Sequence, residues 1–208
     1  MQRPIGLPSV DQIAALPRDP LRILMSACLG GRACGVDGTC YGKYSSVDAL
    51  LALPNVEATL VCPEEQAFGT PRSTCNIVGG DGFDVWAGRA RVVTHEGADW
   101  TDELMEAAER MLEIALENNV DLALLMDISA ACGSTVIYDG HRDLKNYRQG
   151  VGVCTARLIE AGIPVLSQRD LFSLEHLHKH LNPDHIVAAA RDHYRGQWYQ
   201  EYFSQHGK

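Results

Sequence analysis

Apolar residues in this chain fall into short runs, separated by glycine, proline and polar clusters. Leu21 to Ala27 is one such run and reads as a buried strand. Val56 to Val61 is a second, ending at Cys62. Leu122 to Ile128 is a third, leading into Ser129 and Cys132, and Ile163 to Leu166 is a short fourth. Between them the period lengthens. Leu104, Ala107, Ala108, Met111, Leu112 and Ala115 recur at helical spacing, which predicts a helix over 99–118, closed by Asn118-Asn119. Gly150 opens a segment that becomes a helix to Ala161, with Gly162 as its stop. Further helices are predicted over 171–181 and 184–204. The phrase S-V-D-x-x-x-A-L-P occurs twice, at Ser9 and at Ser46, and each copy predicts a short helix capped by its serine and ended by proline. Ile77 to Gly82 reads as turn-rich, and the segments 84–87 and 89–94 predict a hairpin about Gly88. Cys28 to Gly42 holds Gly30, Gly31, Gly35, Gly38 and Gly42, too many for regular structure.

Strands alternating with helices predict an α/β fold, a single three-layer sandwich around a largely parallel, Rossmann-like sheet. Residues 1–20 form an N-terminal arm, 21–168 the α/β domain, and 169–208 a C-terminal helical extension packed on it. In such sheets ligands bind beyond the carboxyl ends of the strands. Three of the predicted strands end in cysteine, so topology alone brings Cys28, Cys62 and Cys132 toward one edge.

The chain has 208 residues, 46% of them hydrophobic and 22% charged, which excludes a wholly disordered protein. Its seven cysteines cannot all pair within one chain. The opening MQRPIGLPSVDQ has no continuous apolar core, and no apolar run approaches the ~20 residues that span a bilayer. A reducing cytoplasm is therefore expected. The net charge of −9, from 27 acidic and 18 basic residues, disfavours intact nucleic acid and suits a small neutral substrate.

Three converging thiolates suit a soft or borderline metal. No C-x-x-C pair occurs, and a closed zinc site wants a fourth ligand. Three cysteines without a fourth suit an iron–sulfur cluster with one open iron. The alternative, that buried thiols act as small hydrophobes, stays open. Cys34 and Cys40 follow Cys28 at equal intervals of six and could form a local knuckle. Cys75 and Cys154 read as packing residues. His176 and His180 share a helical face, although an exposed terminal helix explains them without a metal. Gly150-Val151-Gly152 is a strand-to-helix turn rather than a phosphate cradle. Tyr194, Trp198, Tyr199, Tyr202 and Phe203 make an aromatic helix that packs on the body of the domain or on a second subunit, as in a homodimer.

Several phrases, taken in order, resemble one family. Ser26-Ala27-Cys28-Leu29-Gly30-Gly31 with Asp37-Gly38 resembles its opening S-A-C-L-L-G…D-G. Cys62-Pro63-Glu64 and Thr70-Pro71-Arg72 resemble C-P-E…T-P-R. Gly97-Ala98-Asp99-Trp100-Thr101 is similar to G-x-D-V-T. Ser129-Ala130-Ala131-Cys132-Gly133 resembles S-P-S-C-G, and Tyr138-Asp139-Gly140 resembles Y-D-G. The block from Gly150 to Val165 is similar to the family's close. The family is the 2-thiouracil desulfurases, and the resemblance spans about 21–168.

The resemblance implies a [4Fe-4S] enzyme that replaces the thiocarbonyl sulfur of a thiolated pyrimidine by oxygen without net redox change. It implies Cys28, Cys62 and Cys132 as cluster ligands, with the open iron taking the sulfur. It implies Glu64 as the acid/base group that activates water, and Ser129 as a group positioning substrate or water. Backbone N–H groups of Gly30, Gly31 and Gly133 are expected to face the cluster and substrate, and Arg72 either to bind an anion or the cluster edge or to make a structural ion pair. The loop Glu64-Glu65-Gln66-Ala67-Phe68-Gly69 lacks the family's G-G-L, and Ala130-Ala131 replaces its Pro-Ser. These departures leave two alternatives open: a desulfurase for another thio-compound, or a non-catalytic protein that holds a metal or cluster.

Overall fold

The structure is a computed structural model that describes residues 2–41, 43–140 and 142–206, so that Gly42 of the glycine-rich loop lies outside the described residues. In chain order the elements are α1 (Val10–Ala14), β1 (Leu21–Ser26), α2 (Ser45–Leu51), β2 (Val56–Val61), α3 (Pro63–Phe68), β3 (Cys75–Val78), α4 (Gly82–Trp86) and β4 (Arg91–Thr94). There follow α5 (Thr101–Glu117), β5 (Leu122–Leu125), β6 (Val136–Tyr138), β7 (Tyr147–Gln149), α6 (Val153–Glu160), β8 (Val165–Ser167), α7 (Leu171–Leu181) and α8 (Gln197–His206).

The apolar runs are strands of one sheet: β1, β5 and β8 are buried along nearly their whole length, whereas β2 lies at the edge with Glu57, Ala58 and Leu60 exposed. Four of them form a wholly parallel sheet in the order β2-β1-β5-β8. Ile23 lies opposite Ala58 on one side and Leu122 on the other, and Leu124 opposite Leu166. Strand alternation then sorts the side chains. Leu21, Ile23, Met25, Leu122 and Leu124 enter one core with Val47 and Leu50 of α2, Leu174 and Leu177 of α7, and Tyr199 and Phe203 of α8. Leu24, Ala123 and Leu125 enter the other with Leu104, Ala108 and Met111 of α5 and Val153 and Leu158 of α6. Each such fully buried aliphatic side chain contributes roughly 1.5–3 kcal/mol. The result is the expected three-layer α/β sandwich.

The chain order of the sheet reverses beside β1, with β2 on one side and β5 on the other. This is the switch point at which α/β sheets bind ligands. The arm is tied to the body by several contacts: Val165 N–H donates to Gly6 O at 2.9 Å, the His180 ring meets Leu16 O at 2.9 Å, and Asn55 Nδ2 donates to Arg18 O.

Local expectations fail where side chains outweigh pattern. Ser9 does cap α1, in a reciprocal box with Gln12. Ser46, by contrast, sits inside α2, which starts from Tyr44 without a side-chain cap. The hairpin about Gly88 is absent. Asp81 caps α4 through the N–H groups of Phe83 and Asp84 while Asp84 returns the bond to Asp81, so 82–86 is helical. Arg91–Thr94 pairs instead with Cys75–Val78, in part of what reads as a turn-rich segment. The predicted helix over 184–204 does not begin until Gln197, after a 3-10 turn at His193–Arg195. The antiparallel pair β6-β7 follows no expected element.

Candidate functional site

Beyond the carboxyl ends of all four sheet strands lies a cavity of about 410 Å³, within the roughly 300–1,000 Å³ of small-molecule sites. Ser26 and Cys28 reach it from β1, Cys62 from β2, Met126 and Ser129 from β5, and Gln168 from β8. Cys132, Glu64 and Arg72 line the same cavity. Its outer wall is aromatic and cationic, formed by Tyr41, Tyr44, Tyr138, Tyr147, Arg142 and Arg169.

Each functional side chain is placed by a local device. Ala27 N–H continues the sheet bond to Val61 O, and Cys28 follows at the start of a tight turn. Cys62 ends β2 and is also the N-cap of α3, its sulfur accepting Glu65 N–H at 3.4 Å. Pro63 occupies the first helical position, where a missing N–H does no harm. Glu64 therefore stands in the first turn of α3, where the helix dipole favours a carboxylate. Phe68, at the far end of α3, stacks on Trp100 with ring centres 3.8 Å apart and anchors that helix to the start of α5.

Arg72 is the hub of the floor. Its side chain is only 4% exposed and grips Glu64 Oε2 through Nε at 3.2 Å and Nη2 at 2.8 Å. The same guanidinium donates to the carbonyls of Cys34 at 3.1 Å and Gly69 at 3.0 Å, and to Thr70 Oγ1 at 3.1 Å. Its Nη2 also faces Cys62 Sγ at 4.0 Å. Glu64 Oε1 is left to the Ser129 hydroxyl, which donates to it at 3.4 Å. Ser129 Oγ in turn accepts the N–H groups of Ala131 at 3.2 Å and Cys132 at 3.1 Å. One serine thus fixes both the carboxylate and the loop that presents Cys132.

Cys28, Cys62 and Cys132, from three distant points in the sequence, share this cavity with Glu64, Ser129 and Arg72. The glycines do not share it. Gly30 N–H bonds to Ala27 O at 3.1 Å, Gly31 N–H to Cys28 O at 3.4 Å and Gly133 N–H to Ser129 O at 2.9 Å, so these donors are spent on turns. A Cβ at Gly133 would meet Ser129 O at 2.7 Å, so its place in the fold is one of close packing. The Cys28-Cys34-Cys40 knuckle does not form, since Cys40 is exposed and outside the cavity lining. Cys34 does join the cavity, buried against Ala27 and Cys28, with its carbonyl accepting the Cys62 thiol at 3.8 Å. Its six-residue spacing from Cys28 is the sequence signal that could have found it, once a turn rather than a knuckle is assumed.

Burial pushes the Cys28 thiol up to about 12, reinforced by the nearby Cys62 and Glu64. Burial, with Cys62 beside it, likewise lifts Cys34 to about 12, and Cys132 rises well above its ordinary range for the first reason. Thiols held protonated this way are poor nucleophiles. A metal centre reverses that balance by supplying positive charge, so the donor set fits ligation better than covalent catalysis. Among the described residues no three His, Cys, Asp or Glu groups lie close enough to share one metal ion. Thiols spaced around a cavity suit a multi-iron cluster, in which each sulfur holds a different iron, rather than one tetrahedral ion. No helix among the described residues is long and apolar enough to cross a membrane.

Residues 23–170 match the family model described as 2-thiouracil desulfurase. The uncharacterized protein YbbK of Bacillus subtilis (strain 168) is 38% identical over 150 residues, which is 72% of this chain and 97% of that one. The solved structure of a [4Fe-4S]-dependent thiouracil desulfidase, TudS, is similar with a TM-score of 0.59 and 35% identity, covering 70% of this chain and 89% of its own.

Proposed function

The chain belongs to the 2-thiouracil desulfurase family, and from that premise we propose that it converts the thiocarbonyl of a thiolated pyrimidine, 2-thiouracil or a thiouridine-like nucleoside, to a carbonyl by a hydrolytic, non-redox route. Cys28, Cys62 and Cys132 are the residues that would hold a [4Fe-4S] cluster. When bound, the cluster supplies a soft Lewis-acidic iron matched to a thiocarbonyl sulfur. The observation that carries the reading is the shared cavity: three thiols from three strand ends face a carboxylate whose second oxygen is already occupied by Arg72.

The protein's own groups divide the remaining work. Arg72 fills Oε2 of Glu64 with two N–H donors, which leaves Oε1 as the atom that takes a proton from water. The Ser129 hydroxyl aligns that oxygen. A general base within reach of its proton contributes about 10²–10⁴-fold. Tyr138 and Tyr147 offer aromatic faces to a flat heterocycle, and Met126 keeps the floor beneath it apolar.

The test is turnover. Protein loaded with iron under anaerobic conditions should release uracil and sulfide from 2-thiouracil, or uridine from 4-thiouridine. Glu64→Gln should keep its iron and lose turnover by about 100-fold or more. Intact substrate in the presence of a fully loaded protein, or unchanged turnover in Glu64→Gln, would overturn the assignment.

A further inference from the structure

The matched family span ends at residue 170, yet one side chain from beyond it reaches the support of the site. Asp127, just past β5, is fully buried and ties the loop bearing Ser129 and Cys132 into a ring. Its Oδ1 accepts the N–H groups of Ser134 at 2.9 Å, Thr135 at 3.1 Å and Val136 at 3.2 Å. Its own N–H donates to Gln168 Oε1 at 2.9 Å. Within the ring Ile128 is held at φ +60°, a left-handed conformation that a β-branched residue adopts only under constraint. Among the described residues Oδ2 is hydrogen-bonded to one group, the imidazole of His193, with Nδ1 at 2.6 Å and both side chains buried.

His193 is itself fixed from several sides. Its N–H donates to Asp170 Oδ1 at 3.2 Å, and the neighbouring Asp192 carboxylate takes the N–H and O–H of Ser173 on α7. Trp198 stacks on the ring and Tyr199 meets it edge-on. Among the described residues Nε2 is buried without a hydrogen-bond partner, so the bond to Asp127 is the one that orients the imidazole.

We propose that His193 is a positioning residue for the reaction. The C-terminal extension holds Asp127 in place through it, and Asp127 fixes the loop that presents Ser129 to Glu64 and Cys132 to the cavity. The inference rests on the function proposed above for its kinetic part, while its structural part can be read without turnover. A hydrogen bond to a buried carboxylate is among the stronger ones, and its removal leaves the Asp127 charge without a partner at Oδ2.

Amide hydrogen exchange of iron-free protein is the first arm of the test. His193→Ala should speed exchange at Ser134, Thr135 and Val136 by about tenfold or more, with β1 unaffected. His193→Asn can place an amide N–H near the Nδ1 position and should restore protection; His193→Gln, whose amide reaches toward Nε2, should not. In the second arm, iron-loaded His193→Ala should turn over 2-thiouracil with kcat reduced about tenfold and KM within about threefold of the wild type, again recovered by Asn and not by Gln. Exchange rising uniformly across the sheet, equal rescue by Asn and Gln, or no local change in exchange would overturn the proposal. A wild-type protein inert toward thiolated pyrimidines would count against the function instead, and the exchange pattern would still decide whether His193 clamps the loop.

Discussion

Replacing Arg72 by methionine keeps the unbranched stem as far as the Nε position and removes every guanidinium donor from the floor of the cavity. Five contacts of 3.2 Å or less are lost: two to Glu64 Oε2, and one each to Cys34 O, Gly69 O and Thr70 Oγ1. Removing one partner of a buried ion pair typically costs about 3–5 kcal/mol, because the other charge is left uncompensated. The Glu64 side chain keeps 18% of its exposure through the cavity, so the lower end, about 3 kcal/mol, applies. For a chain of this size that is a fall in Tm of about 6–12 °C. Thermal and urea unfolding of iron-free protein measure it without interference from metal loading. The sign of a second change isolates the pair. Glu64→Gln in the Arg72→Met background removes the stranded charge, and the double variant should be more stable than Arg72→Met alone by about 1–2 kcal/mol. An Arg72→Met protein within about 1 kcal/mol of wild type, or a double variant less stable than the single, would refute the view that this ion pair organises the floor.

Two further outcomes are expected. A Cβ on Gly152 would lie 2.4 Å from Ala131 O and 2.5 Å from Ala131 C, backbone atoms beside Cys132. Gly152→Ala should therefore destabilise the fold by roughly 1–3 kcal/mol and lower the iron retained per chain, read by unfolding and iron assay; unchanged values in both would contradict the packing. Burial, with Asp127 nearby, raises the Asp170 carboxyl to about 7 despite its bonds to Ser167. The folded state then keeps a proton that the unfolded chain gives up near 3.8. This group's contribution to stability is full at low pH and is lost as pH rises through about 7. Carboxyl ¹³C NMR should show one aspartate titrating near neutrality and absent from Asp170→Asn; titration of that carboxyl near 4 would contradict it.

The strands and the long helix were legible because the buried strands β1, β5 and β8 are mostly apolar, and α5 shows its stripe in six small or aliphatic residues. The meeting of Cys28, Cys62 and Cys132 followed from strand order alone. What failed was decided by single side chains. The Asp81-x-x-Asp84 box turns a segment with hairpin punctuation into helix, and Gly82 is pinned by its N–H bond to Val151 O at 2.7 Å, a contact no local pattern encodes. Gly30, Gly31 and Gly133 looked like donors to a ligand, but their N–H groups bond within their own turns. Cys34 was visible only as a spacing, and nothing in a spacing says which way a loop folds. Asp127 and His193 lie 66 residues apart, in a predicted strand and a predicted helix, and their pairing exists only in three dimensions.

The role of the three strand-end thiols is decided by one comparison: iron content and the anaerobic absorption spectrum of reconstituted wild type beside the Cys28→Ser, Cys62→Ser, Cys132→Ser triple variant, each with and without 2-thiouracil. The expected result is a brown wild-type protein with about four irons per chain, whose spectrum shifts on adding 2-thiouracil, and a colourless triple variant. A wild type that takes up no iron, or a triple variant that takes up as much as the wild type, would contradict it.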